Sequence, residues 1–271
     1  MVKRSKILPP LFFLLLCGVL IFCWFRFGYM YGGGDTGLPT YSPQAAVNIA
    51  KNIWWDSLAP GIPVAQGLTS VPLMFLLSIP QGLGASPVFI QALLFFIILF
   101  LMGYGMYLLA LNIFTPHTLG RSRYFLALSA GLFYLFNPYM MIQIWHRFIH
   151  NSMVFVAFLP FLVLTWLLWI RKRSPKYLLL FLLVNFLAVY IYGAIAFIVA
   201  IWTFLFLLTL LEGLIPWKGR KNILQLVITF LIGLSNIRFS SGTAVLSRAS
   251  YVEITSNTFS TSSIQFPKGP I

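Results

Sequence analysis

Between Val88 and Phe114 the sequence runs for 27 residues without one charged side chain. Coiled as an α-helix, such a run reaches about 40 Å, more than the roughly 30 Å hydrocarbon core of a bilayer. From Phe95 to Met102 the run offers no polar face, and Tyr177 to Val184 is built the same way. Helices that are apolar all round belong in lipid or deep inside a large core. The rest of the chain settles which: of 271 residues, only four are Asp or Glu, and 8% are charged, against about 25% in ordinary soluble domains. A soluble globule is excluded.

The formal charge of +14 invites a nucleic-acid reading, but the placement of the cations opposes it. Lys3, Arg4 and Lys6 precede the first apolar run, and Arg121 and Arg123 lie between two runs. Arg171, Lys172, Arg173 and Lys176 form one tight group, and Lys218, Arg220 and Lys221 another. Short basic loops between apolar runs mark the cytoplasmic side of a membrane protein. No basic face or base-reading motif accompanies them, so no nucleic-acid partner is expected. Cys17 and Cys23 sit within one helix about 120° apart and cannot bridge each other there.

These signals predict an all-α, polytopic transmembrane helix bundle in the cell membrane, with the N-terminus cytoplasmic and about seven spans. The first runs from Ile7 to Phe27; it is long enough to span, and Cys23-Trp24-Phe25-Arg26 stands where a signal peptide would show small residues. An outer loop, 28–67, follows, rich in glycine and proline, with a short interfacial helix expected over Asn48–Trp55. Ser70–Gly84 is interrupted by Pro72 and Pro80, and reads as a re-entrant or interfacial outer segment. Spans are expected over Val88–Phe114, Tyr124–Met141 and Met153–Ile170. Two more fit into Tyr177–Ile215 around a turn near Tyr190–Gly193, and a marginal seventh into Ile223–Asn236. Residues 1–237 form this membrane module. Residues 238–271 are a polar, Ser/Thr-rich tail, read as a truncated or altered end.

Ionisable residues on the side away from the basic loops are the functional candidates. Asp35 lies in Gly32-Gly33-Gly34-Asp35-Thr36-Gly37. Its carboxylate fits a general base, or a ligand for a divalent cation (Mg or Mn) beside a phosphate; the structural alternative is a turn aspartate bonded to its own backbone. Asp56 is either a second acidic contact for substrate or a turn cap before Ala59-Pro60-Gly61. His146, Arg147 and His150 fall on a second outer loop. They suit a phosphate, with Arg147 as its fork, or else they lie at the interface beside Trp145.

Gly34-Asp35-Thr36, Trp55-Asp56, the Gly67–Gly84 stretch, Phe136-Asn137-Pro138-Tyr139 and Phe158-Leu159-Pro160 occur here in that order. In this the chain resembles the amino-terminal membrane module of GT-C superfamily polyprenyl-phosphate-dependent glycosyltransferases, in particular arabinofuranosyltransferase D-like and YfhO-like multi-spanning proteins. The resemblance covers about Ile7 to Asn236. It implies a GT-C-like fold and transfer of a sugar from a polyprenyl-phosphate donor to a glycan or lipid acceptor on the outer face of the membrane. It implies Asp35 as the catalytic residue, and His146, Arg147 and His150 as donor-phosphate contacts. Full members have more spans and outer soluble domains. A lipid or small-molecule transporter or flippase, and a non-catalytic membrane scaffold, are the alternatives.

Overall fold

A computed structural model describes residues 8–32, 40–51, 54–55, 62–63, 65–114, 122–142, 150–193 and 195–214. Apart from a two-residue antiparallel pairing, the regular structure described is helical. In chain order it comprises α1 (Leu8–Phe25), α2 (Pro43–Ala50), β1 (Trp54–Trp55) paired with β2 (Ile62–Pro63), and a 3-10 turn (Ala65–Ser70). Then come α3 (Val71–Gly82), α4 (Pro87–Ile113), α5 (Ser122–Phe136), α6 (Pro138–Ile142), α7 (His150–Lys172), α8 (Pro175–Leu187), a second 3-10 turn (Val189–Gly193) and α9 (Ile195–Leu214).

Among the described residues, four helical stretches are long and apolar enough to cross a membrane: Leu8–Phe25, Pro87–Ile113, Ser122–Ile142 and Ser152–Lys172. The apolar stretches Pro175–Leu187 and Ala196–Glu212 are shorter, about 20 and 25 Å long. α3 has 12 residues, about 18 Å, and cannot cross a bilayer alone. The expected seventh span, Ile223–Asn236, and the tail lie outside the described residues. The surface of these helices carries large apolar side chains throughout, among them Leu15, Phe22, Phe125, Phe133, Leu179 and Leu211. In water such a surface would aggregate; facing lipid tails it has no cost.

α4 is the central post. α1, α5 and α7 all pack against it, and it buries Ile90, Leu94, Phe95, Ile98, Leu99 and Met102. Its contact with α5 is set by glycine. A Cβ placed on Gly131 would lie 2.6 Å from the Gly103 carbonyl oxygen and 2.6 Å from the Phe13 ring. Two backbones and one aromatic ring therefore share a space that only hydrogens can fill. Small residues at a membrane helix crossing permit this approach, and dispersion contacts then hold it. A second layer joins α7, α8 and α9 around Trp166, whose ring lies 5.0 Å from Trp169, 4.8 Å from Phe181 and 6.4 Å from Trp202, centroid to centroid. The buried Trp166 Nε1–H donates to Thr209 Oγ1 at 3.0 Å. The indole thus meets its partner without exposing a polar atom to lipid.

Proline explains the join between α5 and α7. Pro160 lies inside α7 and has no N–H for the carbonyl of Val156, four residues earlier. The Tyr134 hydroxyl of α5 donates to that carbonyl at 2.9 Å. Tyr134→Phe is expected to lower stability by about 1 kcal/mol, read as a lower thermal midpoint of the purified protein. An unchanged midpoint would mean that the freed carbonyl has another donor.

Several sequence expectations shift. The interfacial helix expected over Asn48–Trp55 is instead α2, Pro43–Ala50, and Trp54–Trp55 form a strand. Proline favours the first turn of a helix, and Pro43 sits there. The span expected over Tyr124–Met141 is present as Ser122–Ile142, but its helix is interrupted at Asn137. The proline that follows disfavours helical backbone at that residue, and Asn137 Oδ1 accepts from the Met140 N–H at 3.2 Å, starting α6 afresh. The outer loop expected over Gln143–Ser152 ends early, because α7 begins at His150. Of the two roughly equal spans expected in Tyr177–Ile215, the first is only 13 residues.

Candidate functional site

The bundle has two ends of different character. At one, the last turns of α4, α7 and α9 meet. Arg171 grips Glu212 with two bonds, Nη2 to Oε1 at 2.7 Å and Nε to Oε2 at 3.2 Å, and its Nη1 donates to the Asn112 carbonyl at 3.3 Å. Glu212 is the one acidic residue among those described. Sequence reading overlooked it. A lone acid flanked by two basic groups was the available signal, but its partner lies 41 positions away.

At the other end the chain leaves α1 and is caught at once. Gln91, fully buried in α4, accepts from the Tyr31 backbone N–H at 2.7 Å and donates to the Tyr31 carbonyl at 2.6 Å. One amide side chain thus satisfies both backbone groups of one residue, as a neighbouring strand would. The Tyr31 hydroxyl donates back to the Trp24 carbonyl at 2.8 Å. The Phe25 ring packs edge-on against Tyr31 and Phe95, at 5.3 and 5.9 Å. This clasp fixes where the glycine-rich segment holding Asp35 starts.

The same end gathers the remaining short elements. α2 lies against α3. The Gln44 backbone N–H donates to Gln81 Oε1 at 2.9 Å, and Gln81 Nε2 donates to Ser42 Oγ at 3.3 Å. The Ala65–Ser70 turn meets the Val189–Gly193 turn, which in turn touches the α7 side of the bundle. Because α4 and α7 share their last turns at the Arg171 end, their first turns lie together here. His150 opens α7 at this end.

His150, expected as a donor-phosphate contact, opens α7. It is 1% exposed, and burial pushes its pKa down to about 4. It is therefore a neutral imidazole at pH 7, able to donate or accept a hydrogen bond but carrying no charge. The sign of its pH dependence follows. The unfolded chain takes up the proton near the ordinary value of 6.5, the folded one only near 4. The stability contributed by the buried neutral ring is present above pH 6.5 and is lost as pH falls toward 4. The thermal midpoint should decline between these values, by a few kcal/mol in stability at the lower end, and the slope should vanish in His150→Gln. A pH profile unchanged by that substitution would contradict the assignment.

Asp35, Asp56, His146 and Arg147 lie outside the described residues. The structure thus brings the start of the Asp35 segment and the first turn of the helix after Arg147 to one end, and describes neither side chain. No family model, characterised protein or solved structure matches the chain. Asp35, where a divalent cation is expected, lies outside the described residues; among those described, no three His, Cys, Asp or Glu side chains gather as a metal site.

Proposed function

We propose that this chain is a GT-C-type, glycosyltransferase-like membrane protein with about seven spans that acts at the Tyr31 end of its bundle, facing outward. What supports this reading is that the Tyr31–Gln91 clasp, where the described chain leaves α1, and His150, where α7 begins, belong to the same end of the bundle. The cationic loops at the opposite end favour a cytoplasmic position for that end.

In this reading the reaction is an inverting transfer. Asp35 takes the proton from the acceptor hydroxyl as its oxygen bonds to the sugar's anomeric carbon. The bond from that carbon to the polyprenyl phosphate breaks, and the phosphate leaves with the electron pair. Arg147 and His146 meet the departing negative charge. His150, buried and neutral, holds the start of α7 directly after their loop. The acceptor is a glycan or lipid.

The test is transfer from radiolabelled polyprenyl-phosphate sugars by the purified chain in vesicles. Wild type is expected to transfer label, and Asp35→Ala to lose at least about 100-fold, the scale of general-base catalysis. Transfer that persists undiminished in Asp35→Ala sinks the catalytic role of Asp35. Flux of labelled lipid across the vesicle without transfer sinks the enzyme and points to a flippase.

A further inference from the structure

At the opposite end of the molecule, α7 and α8 are joined by only two residues, Arg173 and Ser174. Arg173 takes a left-handed backbone conformation (φ 53°), which turns the chain sharply. The turn sets Lys172 and Arg173 beside Lys176 in the first turn of α8, and all three are exposed. The Lys172 ammonium is steadied by the Tyr177 hydroxyl at 3.0 Å and by the ring face, 5.0 Å from its centroid. Next to the corner, Arg171 holds Glu212 in two hydrogen bonds.

The corner also has a fixed depth. It closes two apolar helices, one of which, Ser152–Lys172, is long enough to cross the membrane. Three cations at the end of an apolar span lie at the level of lipid headgroups. A phosphodiester there would meet positive charge on one side and bury its acyl chains along the exposed leucines Leu179, Leu180 and Leu183 of α8.

We infer that the α7–α8 corner is a docking site for an anionic phospholipid headgroup, held by Lys172, Arg173 and Lys176 and independent of the sugar-transfer reading. Each cation near an anionic membrane surface strengthens attraction roughly fivefold, so three amount to about 100-fold.

The experiment uses the full chain in neutral detergent and titrates fluorescent phosphatidylglycerol, with fluorescent phosphatidylcholine as the neutral comparison. Wild type should bind the anionic lipid at least about 10-fold more tightly than the neutral one. The combined variant Lys172→Gln, Arg173→Gln, Lys176→Gln should lose that preference. The charge-preserving set Lys172→Arg, Arg173→Lys, Lys176→Arg should keep it, as should Arg26→Gln with Lys51→Gln at the other end. Equal binding of the two lipids by wild type overturns the inference without recourse to any variant. So does a preference that survives the triple glutamine substitution, or one lost equally in the Arg26/Lys51 variant. Displacement of the lipid by millimolar inorganic phosphate would make the ligand a soluble anion and overturn the lipid assignment.

Discussion

Gly131→Ala is expected to destabilise the protein by about 1–3 kcal/mol, and Gly131→Leu by more. The new Cβ would fall 2.6 Å from the Gly103 carbonyl oxygen. Real carbon–oxygen contacts do not come that close, and here the obstacle is backbone. Phe13 cannot yield either, because its ring also lies within 2.7 Å of where a Cβ on Gly103 would sit. Relief requires α4 and α5 to separate, which loosens every contact along the crossing. Gly18→Ala in α1 is the control. Nothing lies within 4 Å of its Cβ position, so alanine there should be neutral or gain up to about 1 kcal/mol of helix propensity. The comparison is made by thermal unfolding of both variants in one detergent. If both behave alike, the close α4–α5 crossing is wrong.

Gln91→Leu is expected to cost about 1–3 kcal/mol, because two part-buried backbone groups of Tyr31 lose this partner while the side-chain volume is kept. The effect should be local first. Hydrogen exchange at the Tyr31 amide should accelerate well before the bundle melts, since only the N–H held by Gln91 is released. A stability loss that leaves this exchange rate unchanged would show that the clasp does not form. In the transferase reading, the same substitution also sets the Asp35 segment adrift, so sugar transfer should fall with it.

What was legible in the sequence follows from how strong each signal is. The expected spans Ile7–Phe27 and Val88–Phe114 match α1 and α4 to within two residues at each end, because unbroken apolar length is decided by the bilayer, not by neighbours. Gln91 sat in plain view as an amide inside an uncharged run, yet its role needed Tyr31, 60 positions away. α2 was misplaced because an eight-residue helix carries little periodicity, and its proline start was a better guide than its tryptophans. Pro160 announced an unsatisfied carbonyl, but only the fold could supply Tyr134. His150 reads as a loop residue beside Asn151 and Ser152; burial against the rest of the bundle, which no local pattern encodes, makes it the neutral first residue of α7. For the candidate site, Asp35, Asp56, His146 and Arg147 lie outside the described residues, and His150 alone is placed, at the start of α7.

Which side of the membrane the Tyr31 end faces is directly measurable. Single cysteines are introduced at Tyr29 and at Lys176, both exposed, in a chain with Cys17→Ala and Cys23→Ser, and intact cells are treated with a membrane-impermeant maleimide. Tyr29→Cys is expected to be labelled from outside, and Lys176→Cys only after the membrane is opened. Labelling of Lys176→Cys in intact cells, or of both positions from the same side, would contradict this orientation.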